Sequence, residues 1–216
     1  MMNKIVIFGA GGFAREIQQL ICDLNDSSKT DKWNLLGFVV DKQYVSDKLI
    51  NGLPILGDET WLQNNPDVYL VIAIGSSELR KRKVKELERI VKNPFAILIH
   101  PKAWVGNFVD VGAGSVICAG ALITTNISIG KHVHINIGAT VGHDAQVNDY
   151  VTLNPSVNVS GNVILEESAE VGTGSIIIPK VVVGENTMVG AGSVVIKNLE
   201  ANGVAVGAPA KIIKKK

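Results

Sequence analysis

The sequence predicts an α/β domain followed by a parallel β-helix, and two observations support this prediction. Up to about residue 99, short apolar runs alternate with segments whose apolar residues follow helical spacing. From Val105 onward, a large aliphatic residue returns at every sixth position. The period changes near His100-Pro101, so we place the domains at residues 1–101 and 102–216. A chain of 216 residues is long enough for two domains with separate cores.

The elements of the first domain follow from its apolar pattern. The pattern predicts strands at residues 5–8, 35–40, 68–74 and 96–99, and helices from about 13 to 24 and from about 77 to 91. The intervening segment 42–67 is rich in loops and is expected to hold a short strand and one helical turn. Strands that alternate with helices favour a small parallel sheet, whose ligand crevice lies at the carboxyl ends of the strands.

A glycine-rich turn joins the first strand to the first helix. Its spacing, Gly9-x-Gly11-x-x-Ala14, fits a phosphate-binding fingerprint, although a tight turn without a ligand fits it as well. Glycine lets the backbone approach a pyrophosphate, and the helix N-terminus supplies N–H groups. Asp41, after the second strand, can accept a hydrogen bond from a ribose or a base. Four or five strands make half of a Rossmann-like fold, which suits a nucleoside diphosphate better than NAD.

The second domain is predicted from an apolar repeat with a period of six residues. Sixteen consecutive steps, from Val105 to Val195, fall on Val, Ile or Leu. A helix cannot bury such a period, whereas hexapeptide repeats are typical of β-helices in which three hexads close one triangular coil. Small residues four positions later are expected to point inward as well. Glycine follows the aliphatic residue where we expect the chain to bend, at Gly106, Gly112, Gly130, Gly142, Gly172, Gly184 and Gly190.

The hexad register singles out a polar pair. His143 and Asp144 fall at an outward corner, and Gly161 lies one coil later, so nothing covers the imidazole from that side. A histidine beside a carboxylate is a candidate general base, although an ordinary surface histidine fits the position as well. Asn136 follows the inward Ile135 on an earlier hexad.

The remaining polar residues support fewer conclusions. His132 and His134 are candidate zinc ligands, but ligands on neighbouring coils lie eighteen residues apart, and these two do not stack with His143; we expect no metal. A basic cluster is interpreted as a solvated helix face, with phosphate steering as the alternative; it comprises Arg80, Lys81, Arg82, Lys83 and Lys85.

Composition limits the partners and the compartment. A net charge of +1 gives no reason to expect nucleic acid or an acidic membrane surface, and no apolar run approaches membrane-spanning length. The two cysteines, Cys22 and Cys118, form no disulfide framework and are expected to be reduced and at least half-buried in a cytoplasmic protein. The first apolar stretch is too short for a signal peptide.

Three motifs together resemble a known family. The hexad prism, the His143-Asp144 pair and the ending Val206-Gly207-Ala208-Pro209-Ala210-Lys211 resemble hexapeptide-repeat acyltransferases that use acetyl-CoA. With the glycine turn, Val39-Val40-Asp41 and Ile72-Ala73-Ile74-Gly75, nearly the whole chain resembles the NeuD/PglD group of bacterial sugar acetyltransferases. That resemblance implies a left-handed parallel β-helix, a homotrimer formed through the prisms, and acetyl-CoA bound between two of them.

The resemblance also implies a role for individual residues. His143 matches the general base, Asp144 the carboxylate that orients it, and Asn136 an active-site asparagine. The positions expected to contact acetyl-CoA are Thr152, Gly161, Thr173, Ala191, Pro209 and Lys211. The positions expected to contact the nucleotide-sugar are Gly9, Gly11, Gly12, Phe13, Asp41, Lys42 and Gly75.

Two positions depart from the family pattern. Phe13 stands where many members have a histidine that reaches the sugar, and a phenyl ring cannot hydrogen-bond a hydroxyl. Thr152 stands where many carry a second histidine close to the thioester. The sequence therefore predicts an acetyl-CoA-dependent N-acetyltransferase acting on a nucleotide-linked amino sugar for surface glycans. O-acetylation of sialic acid or a related sugar, and a non-catalytic trimeric scaffold, are the alternatives.

Overall fold

The structure, a computed structural model, describes residues 2–27 and 33–216. The first part of the chain alternates strands and helices. In order these are β1 (Asn3–Phe8), α1 (Gly12–Asp26), β2 (Trp33–Val39), a 3₁₀ turn (Lys42–Tyr44), β3 (Leu49–Ile50), β4 (Leu53–Gly57), α2 (Glu59–Gln63), β5 (Tyr69–Ile72) and α3 (Ser77–Leu87).

These strands form one sheet in the order β3-β4-β2-β1-β5, parallel except for the short β3–β4 hairpin. The central strand β1 is apolar at every position from Ile5 to Phe8 because helices cover both of its faces. Ile5 and Ile7 pack towards α1, whereas Val6 and Phe8 pack towards α3. The carboxyl ends of β1, β2 and β5 therefore meet at one edge of the sheet, as predicted.

The rest of the chain is a series of short strands. They are β6 (Leu98–Ile99), β7 (Trp104–Val105), β8 (Val109–Val111), β9 (Val116–Ile117), β10 (Leu122–Ile123), β11 (Ile127–Ile129), β12 (His134–Ile135), β13 (Thr140–Val141), β14 (Gln146–Val147), β15 (Thr152–Leu153), β16 (Asn158–Val159), β17 (Ile164–Leu165), β18 (Glu170–Val171), β19 (Ile176–Ile177), β20 (Val182–Val183), β21 (Met188–Val189), β22 (Val194–Val195), β23 (Gly203–Gly207) and β24 (Ala210–Lys215).

From β9 to β22, each short strand stacks on the strand three positions earlier in the chain, which builds a prism with three faces. The first face holds β7, β10, β13, β16, β19 and β22, and the second holds β8, β11, β14, β17 and β20. The third face runs from β6 through β9, β12, β15, β18 and β21 to the hairpin β23–β24. Each coil takes eighteen residues, as the pairing of Val141 with Val159 shows. This arrangement is the parallel β-helix expected from the hexads, and it agrees with the left-handed form that the family resemblance implied.

The hexad residues form the core of the prism. Every aliphatic position from Ile117 to Val195 is buried, and the small residues four positions later, such as Ala121, Ala139 and Ser175, are buried as well. Val105 and Val111 are only half-buried because no coil covers them from below. The predicted inward sets are therefore confirmed.

The glycines that directly follow the aliphatic residues were expected to lie where the chain bends, and this explanation was wrong. The bends carry a left-handed residue three positions after the aliphatic one, for example Asp144 with φ 59° and Gly138 with φ 66°. The glycines directly after the aliphatic residue have no left-handed φ but touch the next coil. A Cβ on Gly142 would lie 2.7 Å from the backbone nitrogen of Gly161. Close stacking of coils, and not backbone freedom, explains these glycines.

Two predicted elements of the first domain end differently. Helix α3 stops at Leu87 and not near residue 91. Phe95, just before the expected fourth strand at residues 96–99, makes a single bridge to Leu70 of the α/β sheet. Of that expected strand, only Leu98–Ile99 is a strand, and it pairs with β9 on the third face. This strand lies on the N-terminal side of the domain limit at residues 101 and 102, which remains a prediction.

The third face packs against the α/β domain. Its outward side chains in the lower coils, Leu98, Val116, His134 and Thr152, are all buried. Arg80 of α3 is buried there too, with 0% of its surface exposed, so the solvated-face interpretation was wrong for this residue. Arg82 and Lys85 of the same cluster are exposed, as that interpretation predicted.

Both cysteines carry free thiols. Cys118 is buried as expected, whereas Cys22 is exposed. Within residues 2–27 and 33–216, no helix combines the length and apolar character that crossing a bilayer would require.

Candidate active site

A cavity of about 450 Å³ opens where the carboxyl ends of β1, β2 and β5 meet. Gly9, Gly11 and Asp41 line it, together with Tyr44, which the sequence analysis did not select. Helix α1 begins at Gly12 with Gly11 as its N-cap, and no side chain caps its first N–H groups. These N–H groups and the helix dipole favour an anion such as a phosphate.

Asp41 is held in place at this cavity. Lys83 of α3 donates to Asp41 Oδ1 at 2.6 Å and to Glu86, and its ammonium lies 5.5 Å from the centre of the Phe8 ring. Burial alone would lower the pKa of Lys83, but its hydrogen bonds to Asp41 and Glu86 outweigh burial and raise it. The ion pair holds the carboxylate of Asp41 through Oδ1 and leaves its second oxygen for a ligand donor.

A second cavity of about 220 Å³ lies between α1 and the prism. It brings Phe13 and Gly75, which were expected to contact the nucleotide-sugar, together with Asn136, which was expected to be catalytic. Glu16 and Asn154 also line it and were missed. Asn154 could have been found, because it lies eighteen residues after Asn136 and so occupies the same corner one coil later. Gly12 and Lys42 line neither cavity.

Thr152 also borders the second cavity, but its hydroxyl is already engaged. It donates to the Gly75 carbonyl at 3.1 Å and accepts hydrogen bonds from Ser77 and Arg80. One hydroxyl has one donor and two acceptor sites, so all three are used. The Thr152 hydroxyl therefore has no hydrogen left to donate to acetyl-CoA, and its hydrogen bonds join the two domains instead.

The histidines of β12 and its preceding turn are buried beside a cation. Arg80 Nη1 lies 3.0 Å from His134 Nδ1, so that nitrogen must be the acceptor and His134 is neutral. Burial, and then the charge of Arg80, lower the pKa of His132 to about 4 and that of His134 well below its ordinary value. Phe13 packs on the His134 ring, with the ring centres 4.8 Å apart. Among the described residues, no group of His, Cys, Asp and Glu could hold a metal ion.

His143 presents the opposite environment. Its side chain is 61% exposed at the corner between the first and second faces, and its Nδ1 lies 2.7 Å from Asp144 Oδ2. A neutral imidazole that donates Nδ1–H to this carboxylate leaves Nε2 as a free base. Nε2 lies over Gly161, where an added Cβ would come within 2.6 Å of it. The corner thus offers an open, oriented proton acceptor.

The expected site residues occupy two different corners of one prism. His143, Asp144 and Gly161 follow strands of the first face and lie at its corner with the second face. Asn136, Thr173 and Ala191 follow strands of the third face and lie at its corner with the first face. Pro209 and Lys211 are exposed in the β23–β24 hairpin at the upper end of the third face. One chain alone does not bring these sets together.

Comparisons with known proteins agree with both halves of the chain. Residues 4–87 match a family model described as the PglD N-terminal domain. A GDP-perosamine N-acetyltransferase of Escherichia coli O157:H7 is 31% identical over 138 residues, which are 63% of this chain and 60% of that protein. A UDP-N-acetylbacillosamine N-acetyltransferase of Bacillus subtilis (strain 168) is 36% identical over 55% of this chain and 52% of its own length. The match thus spans between half and two thirds of these two relatives.

A solved structure is similar over nearly the full length. PerB from Caulobacter crescentus, in complex with CoA and GDP-perosamine, has a TM-score of 0.87 and 30% sequence identity. The similarity covers 99% of this chain and 99% of that one. It therefore includes the α/β sheet, the prism and the contact between them.

The buried histidines predict a loss of stability in acid. The pKa of folded His132, about 4, lies below its ordinary 6.5, so the unfolded chain takes up the proton first as the pH falls. Stability that is present at pH 7 is therefore lost between pH 6.5 and 4, by about 2 kcal/mol between pH 7 and 5 from His132 alone. This change in the free energy of unfolding can be measured by urea unfolding at each pH and at a fixed protein concentration.

The matched variants identify the residue. His132→Phe keeps an aromatic ring between Phe95 and Tyr150 and removes the titrating group, so its loss between pH 7 and 5 should be smaller by that amount. His143→Gln, at an exposed corner, should keep the wild-type pH dependence. Equal pH dependence in wild type and His132→Phe would contradict the assignment.

Proposed function

The chain belongs to the NeuD/PglD family of hexapeptide-repeat sugar acetyltransferases, and we propose that it transfers the acetyl group of acetyl-CoA to the amino group of a nucleotide-linked sugar. The observation that carries the proposal is the His143–Asp144 pair, with Nδ1 and Oδ2 2.7 Å apart, on an imidazole that is 61% exposed and has Nε2 beside Gly161 of the next coil. The two curated relatives that match are N-acetyltransferases of nucleotide-linked sugars, which favours an amine as the acceptor over a hydroxyl.

His143 acts as the general base in this mechanism. The sugar amine attacks the thioester carbonyl of acetyl-CoA, and His143 Nε2 takes the proton that the nitrogen loses. Asp144 accepts Nδ1–H, fixes the tautomer and stabilises the imidazolium that forms. The carbon–sulfur bond then breaks, and the proton on Nε2 passes to the leaving CoA thiolate. The products are the amide and free CoA, without a covalent enzyme intermediate.

The two cavities suit the two ends of a nucleotide-linked sugar. Gly9, Gly11 and the uncapped N-terminus of α1 would bind the diphosphate, and Asp41 a ribose or base donor. The sugar would then extend past Phe13 into the second cavity, towards Asn136. The phenyl ring of Phe13 offers an apolar contact, so the hydrogen bonds to the sugar would come from the neighbouring Glu16 and Asn154.

A complete site would need a second copy of the chain. The base and Asn136 lie at different corners of one prism, so a neighbouring prism would bring the corner with His143 to the corner with Asn136. The first face between these corners exposes large apolar side chains, including Trp104, Leu122 and Ile176. Apolar surface of this kind favours association, and the homotrimer of the family is the assembly we propose. Acetyl-CoA would bind in the groove between two prisms, in the cytoplasm, with Gly161, Thr173, Ala191, Pro209 and Lys211 along it.

The reaction and its base can be tested together. Release of the CoA thiol should be followed with 3-amino and 4-amino sugars linked to UDP, dTDP and GDP, and with sialic acid and CMP-sialic acid. We expect one amino sugar nucleotide to exceed the others, and His143→Ala to lower its turnover by about 10²–10⁴-fold while leaving acetyl-CoA affinity within a few-fold.

The other outcomes separate the alternatives. Activity on sialic acid alone would identify an O-acetyltransferase. Binding of acetyl-CoA without turnover of any acceptor would support a non-catalytic scaffold. Wild-type turnover in His143→Ala would remove this residue from the mechanism.

Gly161 provides a test of the position of the base. A methyl group at residue 161 would collide with His143 Nε2, so Gly161→Ala should turn the imidazole away and lower turnover about 100-fold. The control is the double variant with His143→Ala. Because the base is already absent there, adding Gly161→Ala should change turnover less than threefold. An equal effect in both backgrounds would mean that residue 161 acts on the cosubstrate and not on the base.

The assembly has its own test. Light scattering of the wild type should give three times the mass of one chain. Leu122→Glu places a charge on the first face and should reduce this mass, because an unpaired charge is costly at an apolar interface. Leu79→Glu makes the same change at an exposed position of α3 and should leave the mass unaltered. A trimer that survives Leu122→Glu would place the interface elsewhere.

A further inference from the structure

Arg80 is a fully buried cation between the two domains. It lies on α3, and its guanidinium contacts groups from three separate parts of the chain. On its own domain, Nη1 donates to the carbonyls of Ile74 at 2.8 Å and Gly75 at 3.0 Å. On the prism, Nε donates to the His132 carbonyl at 2.9 Å, and Nη2 to the Tyr150 carbonyl and the Thr152 hydroxyl, each at 2.8 Å.

The burial of this charge needs an explanation. A buried cation is costly unless it is paired, and the described residues provide no carboxylate within ion-pair distance of Arg80. Uncharged acceptors surround it instead: backbone carbonyls of both domains, the Thr152 hydroxyl and His134 Nδ1. Apolar residues of similar size would fill the space at a smaller cost. The arginine therefore provides directional bonds that fix one backbone against another.

The backbone that Arg80 holds is the wall of both cavities. Ile74 lines the cavity at the strand ends, and Gly75 lines the one between α1 and the prism. On the opposite side of the guanidinium, Thr152 and His134 line the second cavity from the prism. The single side chain therefore sets how far the loop after β5 stands from the two prism segments, 132–134 and 150–152, that flank His143 in the chain.

We propose that Arg80 is a positioning residue that holds the α/β domain on the prism so that a nucleotide-linked sugar bound by one domain reaches the acetyl-transfer centre on the prism. This inference rests on the proposed function. Arg80 lines neither cavity and would act through Gly75 and Thr152. Its loss should therefore leave each ligand's own site intact and disturb only their relative position.

The domain contact should survive the loss of this arginine. On the α1 side, apolar residues of the α/β domain share one buried cluster with Leu98, Val116 and Cys118 of the prism. Each domain also has a core that excludes Arg80. We therefore expect Arg80→Met to fold with a loosened contact on the α3 side. If Arg80→Met is insoluble, Arg80→Lys, which keeps the charge but lacks the planar fork, carries the same test.

The experiment compares Arg80→Met with the control Arg82→Met, which removes an exposed arginine two positions along α3. We expect turnover of the preferred amino sugar nucleotide to fall about 100-fold in Arg80→Met. The affinities for acetyl-CoA and for the matching free nucleoside diphosphate should each stay within threefold of wild type. Arg82→Met should match wild type in all three measurements. A general defect in folding would instead weaken both affinities together with turnover.

Hydrogen exchange tests the position without relying on catalysis. Amides of residues 73–80 and 131–134 should exchange at least tenfold faster in Arg80→Met, while those of β1 and of β16–β19 stay as in wild type. This result would support the inference even if the wild type acetylated none of the acceptors. Turnover within threefold of wild type, unchanged exchange in these two segments, or a parallel loss of both affinities would each overturn it.

Discussion

The eighteen-residue coil is the constraint on which the rest of this molecule depends. Because parallel strands stack in register, residue i lies against residue i+18, and the corners of the prism become vertical columns. His143 lies over Gly161 for this reason, and Asn136 stands one coil before Asn154. The same spacing forces glycine where coils touch at the corners, as at Gly142. A rigid column fixes the direction of a side chain even at an exposed corner, where an ordinary loop would leave it mobile.

Burial separates the three histidines of the prism by function. His132 and His134 lie under the α/β domain beside the cation of Arg80, and burial together with that charge keeps their pKa low, so they remain neutral. His143 is 61% exposed and has a carboxylate as its neighbour. Of these three histidines, only His143 therefore has both a ring nitrogen without a hydrogen-bond partner and a position that an acetyl-accepting substrate can reach. Three histidines within twelve residues of the sequence therefore divide into two that pack in the domain contact and one exposed residue, His143, which is the proposed base.

The features that depend on short sequence patterns were predicted, whereas those that depend on contacts between distant residues were not. The hexads predicted the faces, the corners and the outward His143-Asp144 pair, and the glycine turn predicted the cavity at the end of β1. Arg80 was misjudged because its partners are residues 132, 134 and 150–152, and no spacing within α3 reveals a contact more than fifty residues away. The hydrogen bonds of the Thr152 hydroxyl with Ser77 and Arg80 were missed for the same reason. Leu98–Ile99 has the apolar character of either sheet, so only tertiary pairing assigns it to the prism.

The position of Phe13 follows from these constraints. Its ring packs on His134, whose Nδ1 is fixed by Arg80, so the aromatic side chain belongs to the same buried network as the domain contact. A histidine at residue 13 would place a third imidazole against the buried ring of His134 and would need hydrogen-bond partners that a phenyl ring does not need. Phenylalanine avoids that cost and leaves the polar contacts of the second cavity to Glu16, Asn136 and Asn154. The domain contact and the lining of the second cavity are therefore linked through His134.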